Sequence, residues 1–185
     1  MAEYYLIAQL PTLDGLSEGA PIPITEESFL ELCNRFLSKK AVKEIESLTL
    51  IPPLNFEKST SFVVNEWNNG ERTLRLALAM ARAEKQNKTF DIGNNVIPSE
   101  AIKVANDALE KENPLEAENF LLAYRLKFLE TLSPINNFSN EFITYYALKL
   151  KLLYRIRKFD TEVGRKEYTK IYNSIKDGES LEVRQ

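Results

Sequence analysis

Two helical stretches of this sequence carry charged residues on the side that periodicity marks as apolar, and these are the residues best placed to do chemistry. Projecting NPLEAENFLLAYRLKFLETL at about 100° per residue puts Glu116, Asn119, Lys127 and Glu130 on one face and leaves Glu118 and Arg125 on the apolar side. The same projection of 139–159 gathers Thr144, Lys151, Arg155 and Lys158 on a polar face and leaves Lys149 and Arg157 inside a broad apolar arc. A carboxylate enclosed with cations can serve as an acid–base centre. It can equally be a structural ion pair, because a charge taken out of water must be paired or neutralised. No nucleophile, metal motif or cofactor signature accompanies Glu118, so the sequence favours an interhelical ion pair in which Glu118 meets Arg125, Lys149 or Arg157.

Other chemistry is narrowed by what the chain lacks. It contains no histidine, which removes Ser-His-Asp and Cys-His arrangements and the usual zinc hydrolase sites. Cys33 is the only cysteine, so neither an intrachain disulfide nor a cysteine zinc cage can form. Within FLELCNRFL it reads as a helix-core position rather than a reactive thiol. The stretches GERTL and GNN lack the lysine and glycine spacing of a phosphate-binding loop. The expectation is a chain without cofactor, metal or catalytic residues. Tyr145, Tyr146 and Tyr154 read as core aromatics with polar tips rather than a base-stacking platform, and Trp67 in VVNEWNNG as a core anchor in preference to an exposed contact.

Charge sorts the partner classes. A net charge of −3 argues against binding nucleic acid through phosphate contacts. The distribution is uneven, with nine Lys or Arg against four Asp or Glu from Glu141 to Lys176, and five against nine in the first sixty residues. Lys151, Arg155 and Lys158 are therefore the candidate contact surface for an acidic protein partner. No apolar run approaches the roughly 18 to 20 residues of a membrane-spanning helix. Glu3 stands where a secretory signal would carry a basic residue, and the expected location is cytoplasmic.

The elements that must position these residues are helical. Thr25 caps a segment with Phe29, Leu32, Cys33, Phe36 and Leu37 on one face, and Ser38 opens a short continuation before Pro52-Pro53 breaks the chain. A second stretch starts near Ser59 or Thr60, with Asn68-Asn69-Gly70 as a possible interruption before ERTLRLALAMARAEK. Ser99 is placed to cap SEAIKVANDALEKE. NPLE is the clearest local signal, with Asn113 as cap, Pro114 at the first helical position and Glu116 in the capping-box position. The last helices run from about Ser139 to Phe159 and from Thr161 to Lys176, the latter with Val163, Tyr168, Ile171, Tyr172 and Ile175 as its core face. The reading is one all-α domain over residues 1–176, a bundle of about five to six helices, followed by a polar tail at 177–185. YYLIAQL before Pro11 is a short helix or a strand that pairs with LTLI at Leu48 as a small ribbon.

In order along the chain, YYLIAQLPTL, PITEESFLELC, RLALAMARAEK, NPLEAENFLLAYRLKFLETL and FITYYALKLKLLYRIRKFDTEVGRKEY resemble an uncharacterised bacterial family encoded among the subunits of V/A-type ATPases. More distantly, the pattern is similar to the C subunit (called d in eukaryotes) of those ATPases, an all-helical socket between the central stalk and the membrane ring and about twice as long. The resemblance implies a helical start at Tyr4–Leu10. It also implies a non-catalytic structural or assembly subunit at the junction of stalk and ring, with ATPase subunits as partners and peripheral attachment to the membrane through the complex. The alternative is a free-standing helical adaptor that binds an acidic protein through its basic C-terminal helices.

Overall fold

The computed structural model describes residues 2–16, 20–54, 58–93, 95–158 and 161–182, and among them every regular element is a helix. There are eight: α1 (Ala2–Ile7), α2 (Glu26–Phe36), α3 (Lys39–Glu46), α4 (Phe62–Lys85), α5 (Ser99–Leu109), α6 (Pro114–Thr131), α7 (Asn140–Arg157) and α8 (Thr161–Glu182). The fold is all-α, as the periodicity requires. The count exceeds five or six because the short α1 and α3 stand as helices of their own. Residues 4–7 lie in α1, and LTLI forms no strand, which settles the choice between helix and ribbon.

Local chemistry sets most helix starts. Thr25, Ser38, Ser61 and Ser139 each accept a backbone N–H three residues on, at 3.0 to 3.3 Å, and Asn113 Oδ1 accepts from Leu115 N at 2.9 Å. Ser99 is the exception to the expected pattern, since it lies inside α5 and Pro98 holds the cap position without a side-chain bond. Glu141 reinforces one start from afar. Its carboxylate accepts from Ser61 Oγ at 2.9 Å, Val63 N at 3.0 Å and Phe62 N at 3.2 Å, placing negative charge at the N-terminus of α4. At the other end of α4, Asn87 takes a left-handed conformation (φ 55°), and Lys88 N reaches back to Ala83 O.

The expected interruption at Asn68-Asn69-Gly70 does not occur, and α4 runs unbroken through it. Gly70 is there for space: a Cβ at this position would lie 2.3 Å from the ring of Phe128 on α6. The glycine lets that ring close against α4 beside Trp67, with ring centroids 6.3 Å apart.

Three apolar clusters hold the body together. Leu6, Phe29, Cys33, Val42, Ile45 and Leu150 bring α1, α2 and α3 onto α7. Leu74, Leu78 and Leu121 join five alanines, Ala77, Ala81, Ala101, Ala105 and Ala108, whose small side chains let α4 and α5 approach closely. Val63, Trp67, Leu122, Leu129, Leu148 and Leu152 close α4, α6 and α7 on one another. Since α7 contributes to two clusters and is buried continuously from Tyr145 to Leu150, it is the central helix. No described side chain of α8 enters any of the three.

Candidate functional site

The charges on the apolar sides of α6 and α7 are all engaged, though not in one centre. Arg125 turns to Glu71 of α4, with Nε donating to Oε2 at 2.8 Å and Nη2 to Oε1 at 3.1 Å. Arg75, one turn along α4, adds a bond to Oε1 at 2.9 Å. The Glu71 side chain is only 2% exposed, so this carboxylate is the buried anion among the described residues. Glu118 lies at its edge, 26% exposed, 2.9 Å from Arg155 Nη2 and 3.9 Å from Arg125 Nη1. Arg125, which the sequence places on the apolar side as a partner for Glu118, is 12% exposed and has Glu71 as its bidentate partner, and the direct hydrogen bond to Glu118 comes from Arg155.

Lys149 and Arg157 do not reach Glu118. The Lys149 ammonium, 4% exposed as a side chain, donates to Asp14 and lies 3.6 Å from Glu130 and 3.4 Å from Tyr145 Oη. Burial works to lower its pKa, but the Asp14 bond and the Tyr145 hydroxyl outweigh that and hold it above the ordinary lysine value. Arg157 Nη2 donates to the Ala20 carbonyl. Two tyrosines of α7 act alike: Tyr146 Oη donates to Pro11 O at 2.8 Å and Tyr154 Oη to Ile24 O at 3.0 Å. The polar tips on α7 thus tie down the irregular segment that leads from α1 to α2. Desolvation raises the Tyr146 phenol and pushes the Cys33 thiol up to about 12, which leaves both neutral at physiological pH.

The expected contact surface is partly consumed within the chain. Lys151 Nζ bonds Glu26 at 3.2 Å and Arg155 bonds Glu118, while Lys158 is exposed. That face of α7 offers an acidic partner less charge than the sequence suggests.

Two features remain outward-looking. On α8, Tyr168, Ile171, Tyr172 and Ile175 stand 55 to 69% exposed, with the two tyrosine rings stacked at 6.3 Å. The stripe expected to be a core face therefore lies uncovered, and the Val163 side chain is outside the described residues. Helix α8 also continues to Glu182, past the expected stop at Lys176, with 183–185 outside the described residues. The second feature is a cleft of about 740 Å³ between α3, the 48–54 segment and the N-terminal turns of α4 and α7. Trp67 forms part of its wall, 1% exposed, which makes it the core anchor of the two possibilities.

Glu71 escapes a reading of the sequence because Asn69-Gly70 looks like a break. Once α4 is continuous, the positions Trp67, Glu71, Leu74 and Leu78 fall on one stripe, and a carboxylate in that row signals a buried pair. Asp14 and Glu26 carry no such signal, since each meets α7 across more than a hundred residues. Comparison of the chain with protein-family models, curated proteins and solved structures gives no match.

Proposed function

We propose that the chain is a non-catalytic structural or assembly subunit of a bacterial V/A-type ATPase, working at the junction between the central stalk and the membrane ring. The observation that carries this reading is the uncovered stripe on α8. Tyr168, Ile171, Tyr172 and Ile175 recur at the spacing of a helix built for burial, yet all are more than half exposed. A helix of this kind is completed by a partner. The groups that resemble acid–base machinery support the same reading, because Glu118 is bonded by Arg155 and Lys149 by Asp14. Among the described residues no helix is long and apolar enough to cross a membrane, so attachment falls to the complex. The identity of that complex rests on the resemblance of the NPLEAE and YYALKLKLLYR blocks.

The test is affinity purification of the tagged chain from its native cell, with the retained proteins identified. V/A-type ATPase subunits are expected with the unmodified chain and not with an Ile171→Asp, Ile175→Asp variant of unchanged helicity. The purified chain alone is expected not to hydrolyse ATP. If no ATPase subunit is retained under conditions that preserve the complex, the assignment fails; if the double variant retains them all, α8 is not the contact.

A further inference from the structure

The cleft beside α3 carries a polar group that the fold leaves unanswered. Its walls are apolar, built from residues such as Leu37, Ile45, Leu48, Pro52, Ile143 and Leu148. Four of its hydroxyls are already committed, Ser47 donating to Glu44 O, Thr49 to Ile51 O, Ser61 to Glu141 and Thr144 to Asn140 O, while the side chains of Thr60 and Asn140 stand exposed to water at the mouth. Both oxygens of Glu141 are taken up in capping α4. Asn68 differs. Only 6% exposed, it lines the cleft, and no hydrogen bond joins its carboxamide to another described residue. Its polar atoms open onto the cleft rather than being sealed in the core, so the fold itself supplies them no partner, and a polar group held in an apolar cavity marks the point at which a ligand is oriented.

We infer that this cleft binds an extended apolar peptide segment of a partner protein, with the N–H and C=O of one of its residues paired to the Asn68 carboxamide. A carboxamide sets a donor and an acceptor side by side, and the N–H and C=O of one residue in an extended segment, which point to the same side of the chain, are its complement. No Lys or Arg is among the described residues of the lining, so nothing there compensates an anionic ligand. The apolar surface also continues past the mouth: Ile51 is 54% and Leu54 99% exposed, both at the rim. A compact small molecule would leave this rim uncovered, whereas a segment with several apolar side chains covers it. The site lies apart from α8, and the inference stands or falls whether or not the partner belongs to an ATPase.

Trp67 is the only tryptophan of the chain and lines the cleft, so its fluorescence reports occupancy. Heptapeptides selected from a displayed random library on the full-length protein are synthesised and titrated against that signal. The expected winners are apolar and uncharged. Asn68→Leu, which keeps the branched shape and puts two methyl groups in place of the amide, should weaken them about tenfold while leaving the melting temperature equal or higher, because no hydrogen bond within the fold is lost. Methylating the peptide nitrogens one at a time should reveal a single position whose loss also costs about tenfold on the unmodified protein and nothing on the Asn68→Leu protein. The inference is overturned if no selected peptide shifts the fluorescence at about 100 μM, where even a weak site begins to fill. Equal binding by Asn68→Leu overturns it too. If Asn68→Leu lowers the melting temperature, the methylation series on the unmodified protein decides alone, and a flat series rejects the amide pairing.

Discussion

Replacing Glu71 with alanine should destabilise the protein by about 3 to 5 kcal/mol, the range for removing one member of a buried ion pair. The size follows from what remains. Arg125, 12% exposed, would keep its charge but lose both hydrogen bonds to Glu71, with Glu118 still 3.9 Å from Nη1 as its nearest anion. Glu118→Ala is the internal contrast: its side chain is 26% exposed and its close partner Arg155 is 42% exposed, so water can take over part of each charge. There the loss should stay near 1 kcal/mol or below. Urea denaturation followed by Trp67 fluorescence measures both, with an indole one turn from Glu71. A third variant sharpens the test. Glu71→Leu with Arg125→Met removes both charges of the pair and should recover most of the loss, since apolar replacement of a buried pair is often neutral or stabilising. Equal losses for the two alanine variants, or a loss at Glu71 below about 1 kcal/mol, would refute the reasoning.

Other positions give independent checks. Gly70→Ala gains about 1 kcal/mol of helix propensity but drives a methyl into Phe128, so a net loss of about 1 to 2 kcal/mol is expected by denaturation, turning to a gain in a Phe128→Leu background. Glu141→Gln should cost about 1 to 2 kcal/mol and speed hydrogen exchange at the Phe62 and Val63 amides, whose acceptor it is. Cys33 gives an alkaline dependence: its folded pKa of about 12 lies above that of an unfolded thiol, so its contribution is complete below about pH 8.5 and is lost as pH rises toward 12, at up to about 1.4 kcal/mol per unit. Urea midpoints at pH 8 and pH 10 should therefore fall further for the unmodified protein than for Cys33→Ala.

How much of this is legible in the sequence depends on whether the signal is local. The start of α6 can be read from NPLE because a cap, a proline and an acid act within one turn. The burial of Lys149 is equally legible, since a helix apolar over most of its circumference leaves a lysine there no route to water. Its partner is not, because Asp14 lies in an irregular segment that carries no period. Gly70 misleads for a related reason. Asn-Asn-Gly is turn chemistry by propensity, and only the Phe128 ring on another helix explains why a glycine is tolerated in mid-helix. On α8 the pattern correctly announces a face to be buried and is silent about what buries it.

The bonds that α7 makes to the segment before α2 also set an order of events during synthesis. Lys149 to Asp14, Tyr146 to Pro11, Tyr154 to Ile24 and Arg157 to Ala20 join residues 130 to 137 positions apart. At about 5 to 20 residues per second, the leading segment emerges from the ribosome roughly 7 to 27 s before the helix that holds it exists. Throughout that interval Leu6, Leu13 and Phe29 lack the surface that shields them in the finished protein. A chain stalled before α7 would thus present an apolar leading end to chaperones, and completion of the central helix is the event that withdraws it.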